Sequence, residues 1–471
     1  MLRNTSEVLE LHFGVAAVRA QLVNVNVSLA APEVAHVLGL SQASLLVADV
    51  EFEGVLREAV RLAEAAAAAE PGQQQGGGLA LRQQLRAAAL AAADRPWFDV
   101  NEGYQMYFTS GTTGLPKAVL LSHKIVALHA LATIKEMHLH GGDVWGHFAP
   151  LFHLVDVFAV YAITLVAGRH VLLPNFSAAQ MLLAMERERV SVTNIAASMG
   201  ALMMSQPGLP VTDLSSLRVV SFGGSPQPPA VVRGLAAALG CEVFCSYGMT
   251  ECCGKISMSI LHQDWPTQQL LDLVCSSGRP FILMNIKVGG SSSGHEVQPG
   301  SGQVGEVWCM GPTVFSGYVG NAKANAEAFV TSGQGAGAAG AWFKTGDLAL
   351  VRADGYLQVV DRAKDMILCG GENVYCAEVE SVLQAHPLVA QAAVYGVPNP
   401  VMGEMVMAAV VLKPGNRQEA GPGAGPVAAP AQQLLAWCRQ RLAHYKVPMR
   451  VHVMPQLPMT GTGKVSKVQL R

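Results

Sequence analysis

Between Tyr107 and His123 the chain reads YFTSGTTGLPKAVLLSH, and no other stretch restricts the fold as much. A strand-like apolar run breaks into a loop of glycines and small hydroxylated residues, closes on Lys117 and re-enters an apolar run. Gly111 and Gly114 let backbone N–H groups turn inward on an anion, while Thr109, Ser110, Thr112 and Thr113 add hydroxyl donors and Lys117 a mobile positive charge. The pattern is a phosphate grip. It is not a Walker A loop, which needs four residues between its first Gly and a Gly-Lys-Ser/Thr triplet; here Pro116 precedes Lys117 and Ala118 follows it. The competing reading is a Gly/Thr turn between strand and helix with a solvated lysine.

The rest of the chain gives that loop a setting. Short apolar runs alternate with helical stretches: SLLVADV from Ser44, YQMYFTS from Tyr104, RHVLLP from Arg169, SVTNIAA from Ser191, LRVVSFGG from Leu217 and EVFCSYG from Glu242. This alternation predicts an α/β protein with largely parallel sheets. From about Ala363 the rhythm changes to a small α+β unit, with a helix near Ala377, strands at Val389–Val394 and Met405–Leu412, a helix near Gln432 and a strand at Arg450–Met454. Ala63–Ala93, Ser332–Ala341 and Glu419–Gln433 are rich in Ala, Gly, Pro or Gln without an apolar stripe, and read as surface insertions outside any chemistry. The run Leu154–Ala167 contains Asp156 and falls short of the ~20 apolar residues a bilayer span needs, so it reads as a buried helix.

Composition excludes several function classes. At 471 residues the chain suggests two or three domains. A net charge of −2 and a pI near 6.7 give no electrostatic reason to bind nucleic acid. The nine cysteines form no CxxC pair, which argues against both a disulfide framework and structural zinc. Cys252 and Cys253 read as small buried hydrophobes. Arg3, Glu7, Glu10 and His12 interrupt any apolar signal core, leaving the cytoplasm as the default compartment.

The loop resembles the phosphate-binding signature of the adenylate-forming superfamily, which includes acyl-CoA synthetases, coumarate-CoA-type ligases, luciferases and peptide-synthetase adenylation domains. SYGMTE at Ser246–Glu251, FKTGD at Phe343–Asp347, VDRAKDMILCGGENVYCAEVE at Val360–Glu380 and PMTGTGKVSK at Pro458–Lys467 resemble the family's later motifs, in the family's order. The short GGENVYCAEVE segment is most similar to the acyl-CoA synthetase branch. The resemblance implies a large α/β domain of stacked mixed sheets and helices over 1–362, with an insertion at about 63–93, and a mobile α+β lid over 363–471. The opening segment resembles one that in the family follows roughly one further strand–helix unit, which implies a shortened N-terminal end and an exposed sheet edge.

The resemblance also implies the chemistry: ATP and a carboxylic acid give an acyl-adenylate and pyrophosphate, and the thiol of CoA then displaces AMP. Such transfer asks for donors, cations and a metal carboxylate. Thr109, Ser110, Gly111, Thr112, Thr113, Gly114 and Lys117 would hold the β- and γ-phosphates, and Glu251 would carry Mg²⁺ with Thr250 beside it. Tyr247 would lie on adenine in a slot lined by Gly223, Gly224 and Ser225. Asp347 would accept the ribose hydroxyls, with Arg362 on the nucleotide. Lys464 would bridge acid and α-phosphate during adenylation. Rotation about Lys364 would then withdraw it and bring Gly370, Gly371 and Glu372 to the thiol's tunnel. His153 would close the acyl entrance, and Ser221, Phe222, Met249, Gly254 and Lys255 would line the acyl pocket. Lys255 departs from the small or apolar residues common after this motif; it could pair with a second carboxylate on the substrate or snorkel outward. Ala118 and Cys376 are milder departures, standing where Gly and Pro are common.

Other readings have less behind them. Gly290–Gly294 fits GxSxG, but a loop follows it where a nucleophile elbow needs a helix. An adenylating enzyme with a non-CoA acceptor, or a non-catalytic nucleotide-binding homologue, would retain the same motifs.

Overall fold

The computed structural model describes residues 1–69, 99–109, 116–223, 229–259, 272–290, 296–331, 341–413, 430–459 and 465–471. The chain forms two compact units: a larger one from Met1–Lys287 with Trp308–Lys344, and a smaller one from Val288–Val307 with Thr345–Arg471.

In the larger unit, β1 (Leu22–Asn24), β2 (Gly103–Thr109) and β3 (Lys117–Ser122) make a three-stranded sheet. β1 and β2 are parallel, β2 and β3 antiparallel. The phosphate loop therefore joins two strands of a hairpin, with Thr109 and Lys117 as cross-strand partners. Ser122 ends β3 and caps the helix His123–Glu136, its hydroxyl accepting the Ile125 N–H at 3.3 Å.

A seven-stranded sheet follows, built from β4 (Val144–His147), β5 (Arg169–Leu172), β6 (Val192–Ala196), β7 (Val219–Gly223), β8 (Glu242–Tyr247), β9 (Ser257–Met258) and β10 (Arg279–Pro280), in the order β10-β9-β8-β7-β6-β4-β5. β8 through β5 run parallel, and β9 and β10 are antiparallel additions. Parallel strands are covered on both faces, which is why their sequences read as near-continuous apolar runs. Successive residues divide accordingly: Val219 joins the core containing Trp145, Phe158 and Phe281, while Val220 and Phe222 join the one containing Phe148, Met181 and Ile195. The run from Leu154 is the buried helix Leu154–Leu165.

Ser44–Val50 is not a strand. It pairs through its backbone with the chain start, Met1 donating to Val47 and Asp49 to Met1, and its end turns into the short helix that follows, Phe52 donating to Asp49. Leu45, Leu46 and Val47 stay 38–41% exposed, so no buried face drives pairing.

Along the chain, β11 (Asn285–Gly290), β12 (Gly305–Met310) and β14 (Ala341–Val351) each run from one unit into the other. β13 (Phe329–Thr331) pairs with Ala341–Phe343 in the larger unit. In the smaller unit the end of β14 pairs antiparallel with β15 (Leu357–Arg362). The smaller unit continues through β16 (Ile367–Cys369), β17 (Glu372–Val374), the helix Cys376–Gln384, β18 (Val389–Asn399), β19 (Gly403–Leu412), the helix Pro430–Arg439 and β20 (Arg450–Val453). β18 and β19 form a long antiparallel pair, and β20 joins β19 in parallel. Their apolar faces close on Val379, Leu383, Leu434 and Cys438 from the two helices.

Most of the expected insertions, 70–93, 332–340 and 419–429, lie outside the described residues. All nine cysteines are free thiols. Cys252 and Cys253 are buried, and burial pushes the Cys253 thiol up to about 12, an inert core group. Among the described residues no helix is long and apolar enough to cross a membrane.

Candidate active site

The clasp of the phosphate loop is the starting point. Thr109 Oγ1 donates to the Lys117 carbonyl at 3.4 Å, and the Lys117 ammonium lies 3.9 Å from the centroid of the Tyr318 ring. Tyr318 belongs to a segment bridged to β3 through Val119, with Val319 N–H donating to Ala118 at 3.0 Å. Its hydroxyl donates to Glu251 Oε1 at 2.9 Å, and Phe315 N–H donates to the Glu251 carbonyl at 2.8 Å. The cation from residue 117 and the carboxylate from residue 251 thus meet on one phenol. Burial, then Glu251, drives the Tyr318 pKa up, so the ring stays a neutral donor. Sequence reasoning missed Tyr318, because one aromatic in a Ser-Gly-Tyr turn carries no signal of its own.

Ser110, Gly111, Thr112, Thr113 and Gly114 lie outside the described residues, as do Gly224, Ser225 and Lys464.

The SYGMTE segment turns tightly after β8. Thr250–Cys252 form one 3₁₀ turn, closed by the Cys252 and Gly254 N–H groups donating to the Met249 carbonyl, and Cys253 has φ 59°. Gly248 is obligatory: a Cβ there would stand 1.6 Å from the Gly254 carbonyl oxygen. Tyr247, Met249, Thr250 and Glu251 are consequently gathered at one strand end, with Ile256 N–H returning to the Tyr247 carbonyl at 2.8 Å.

The start of the helix Leu154–Leu165 lies beside several of the residues expected to line the acyl pocket. His153 is its N-cap position, with its carbonyl accepting the Val157 N–H at 3.2 Å. A Cβ on Gly254 would lie 3.3 Å from His129 Nε2 and 3.5 Å from the Leu154 carbonyl oxygen. Asn194 on β6 donates through Nδ2 to the Val155 carbonyl, and that same amide lies 3.9 Å from where a Gly223 Cβ would be. Asn194 and Ser221 are register partners, and among the described residues Asn194 Oδ1 and Ser221 Oγ are buried without hydrogen-bond partners. Neither Asn194 nor His129 was marked by the sequence, since a polar residue in an apolar run shows its surroundings only after folding. Ser221 and Phe222 point to opposite faces of β7, with Phe222 packed into the core beside Val220. The two side chains therefore do not share one pocket.

In the smaller unit, Asp347 and Arg362 are cross-strand partners of β14 and β15, and Arg362 Nε pairs with Asp347 Oδ1 at 3.2 Å. Lys364 is exposed in the turn that follows, where Asp365 and Met366 N–H groups both donate to the Arg362 carbonyl at 3.0 Å. Gly370 and Gly371, with φ 62° and 86°, form the two-residue connection between β16 and β17, and Cys369 faces Glu372 across it. Positive φ at both positions is the hairpin geometry that matches strand twist.

For a metal, the described residues contain no cluster of three or more His, Cys, Asp or Glu side chains. Glu251, 4% exposed, is a single hard-oxygen donor. That fits Mg²⁺, which keeps water and substrate phosphates as its other ligands, and not a metal that needs a protein cage.

Residues 1–319 match the family described as AMP-binding enzyme, and residues 378–464 match the AMP-binding enzyme C-terminal domain. A feruloyl-CoA synthase from Amycolatopsis sp is 35% identical over 476 residues, covering 98% of this chain and 86% of the relative. The o-succinylbenzoate CoA synthetase MenE from Bacillus subtilis, solved with the acyl-adenylate intermediate OSB-AMP, superposes with a TM-score of 0.79 at 27% identity, covering 100% of this chain and 87% of that one. The amide bond synthetase McbA from Marinactinospora thermotolerans gives a TM-score of 0.79 at 29% identity, covering 100% and 88%. The chain belongs to the AMP-binding enzyme family, in its acyl-CoA synthetase branch.

Proposed function

We propose that this chain is an ATP-dependent carboxylic acid–CoA ligase working through an acyl-adenylate. The observation that carries the reading is the meeting of Lys117 and Glu251 on Tyr318, which joins a phosphate loop to a lone metal carboxylate. The feruloyl-CoA synthase and the MenE complex support the acid and the thiol.

ATP, Mg²⁺ and CoA are the co-substrates. The acid's carboxylate oxygen attacks the α-phosphorus, the α–β bridging bond breaks, and pyrophosphate leaves with the electron pair. The loop from Thr109 through Ser110, Gly111, Thr112, Thr113 and Gly114 to Lys117 holds the departing phosphates. When bound through Glu251, Mg²⁺ supplies positive charge to the phosphate oxygens; Tyr318 fixes that carboxylate, and Thr250 lies beside it. Tyr247, Gly223, Gly224 and Ser225 form the adenine slot. Asp347, oriented by Arg362, takes the ribose hydroxyls. CoA thiolate then attacks the acyl carbon and AMP leaves.

Lys464 and the Gly370–Gly371–Glu372 tip, both carried by the smaller unit, are assigned to adenylation and to thioester formation respectively. The proposed boundary between domains 1–362 and 363–471 falls in the turn containing Lys364, whose backbone is the hinge. His153, Ser221, Met249, Gly254 and Lys255 line the acyl site, with Phe222 contributing through its backbone.

A second acceptor is favoured by one observation, the likeness to the amide bond synthetase McbA. Turnover of ATP to AMP and pyrophosphate with an acid panel, with CoA, with amines and with neither, separates the readings. CoA should be consumed in step with AMP release. Pyrophosphate release with amide in place of thioester would move the assignment to the second acceptor, and no turnover with any acid would point to a non-catalytic homologue. Lys464→Ala should lower acid-dependent pyrophosphate exchange by ~10³-fold while leaving thioester formation from supplied acyl-adenylate largely intact. Equal loss in both assays would refute the division of labour.

A further inference from the structure

Lys255 does not snorkel. It keeps 3% of its surface exposed, and its ammonium lies 3.1 Å from the centroid of the Phe158 ring. Among the described residues no carboxylate stands at ion-pair distance from it. Asp156 lies on the same helix as Phe158, but its oxygens already accept Trp145 Nε1 at 2.9 Å and His147 Nδ1 at 3.2 Å. A buried ammonium is costly unless it is paired, so a fold that keeps one has a counter-ion to come or carries the group as a neutral amine.

A second polar atom beside it is also unmatched. The Lys255 N–H donates to His129 Nε2 at 3.2 Å, and the other ring nitrogen, Nδ1, is buried without a hydrogen-bond partner on a residue 1% exposed. Both groups lie beside residues proposed to line the acyl site. Lys255 follows Gly254, which packs on the Leu154 carbonyl just past His153, and precedes Ile256, which hydrogen-bonds Tyr247.

We propose that the acid activated by this enzyme carries a second anionic group, a dicarboxylic acid in the simplest case, and that Lys255 pairs with that distal group. The inference rests on the ligase reading and deepens it by naming the substrate class. The distal group takes no part in bond making: one carboxylate becomes the mixed anhydride and then the thioester, while the other stays ionised against Lys255. An acid with an apolar tail would leave the buried amine without a partner, whether charged or neutral. Discrimination therefore comes from a penalty on the wrong acid as well as from attraction to the right one. Burial holds the Lys255 pKa well below its ordinary value, with Asp156 opposing, as a site that charges when its partner arrives requires.

The test uses length-matched acids on the full chain: adipate against hexanoate, and isophthalate against benzoate. For each, kcat/KM of acid-dependent pyrophosphate release and the shift in melting temperature are measured. The wild type should favour the diacid of at least one pair by roughly 10- to 100-fold, the range a charge-assisted contact supplies. Lys255→Met should invert that preference by lowering the diacid value and raising the monoacid value, and Lys255→Arg should keep it. A wild-type preference for the monoacid in both pairs, or a ratio unchanged in Lys255→Met, overturns the proposal. If no acid turns over, yet the diacid raises the melting temperature of wild type and not of Lys255→Met, the ligase reading falls and the anion site stands. If Lys255→Met does not fold, the wild-type shifts decide: diacids that stabilise no better than monoacids overturn it.

Discussion

Each of the two units withdraws a lysine from solvent, Lys255 fully and Lys467 in large part, and the two are treated in opposite ways. Lys467, in the smaller unit, pairs with Glu380 at 2.9 Å, and Glu380 Oε1 also accepts the Val394 N–H at 2.8 Å. Burial is the largest single influence and opposes its charge, but Glu380, Cys376 and Asp361 together outweigh it and raise its pKa. Lys255, in the larger unit, has an aromatic face and no ion pair among the described residues, and burial wins. A buried charge with a full set of partners is part of the scaffold; one without them marks a place where a ligand completes the set.

That contrast is open to attack in order of effect size. Lys467→Met strips the half-buried Glu380 of its ion pair and leaves it the Val394 N–H alone, and should destabilise the protein by about 3 kcal/mol in denaturant unfolding. A change under about 1 kcal/mol would mean that the pair is solvated and the contrast illusory.

The neighbouring Asp361 gives a smaller, pH-dependent effect. Burial, partly offset by Lys467 and by the Arg362 and Cys376 N–H groups, raises its pKa from 3.8 to about 6. Its raised folded-state value means that the fold holds the proton more tightly than the unfolded chain does. Its contribution is therefore fully present below about pH 4 and is lost as pH rises through about 6, amounting to about 2–3 kcal/mol. Stability profiles across that window should flatten in Asp361→Asn; an unchanged slope would assign the titration elsewhere.

The smallest effect has the opposite sign. Lys255→Met replaces a buried amine that has no ion pair among the described residues and should be neutral or stabilising by about 1–2 kcal/mol without substrate, as replacement of buried polar groups by packed apolar ones often is. Clear destabilisation would show that Asp156 already compensates Lys255 at long range.

The sequence made the regular elements readable where one periodicity dominated. Val192–Ala196 and Val219–Gly223 are continuous apolar runs because both faces of a parallel sheet are covered. Ser44–Val50 has the same composition but no neighbouring strand among the described residues, so its pattern misled. Within the site, Asp347 and Arg362 were singled out separately, and only the hairpin explains why they touch. Tyr318, Asn194 and His129 were illegible because their significance lies in who approaches them across the fold. Lys255 stood between two readings, and its burial decided against the solvated one.

The clasp that joins Thr109 to Lys117 has a thermodynamic consequence. Because the two are ladder partners, the entropy of bringing the loop's ends together is lost when β2 and β3 fold, before nucleotide arrives. Nucleotide binding then does not have to supply that closure. Substitutions at Gly111 or Gly114 should therefore lower nucleotide affinity with little effect on global stability.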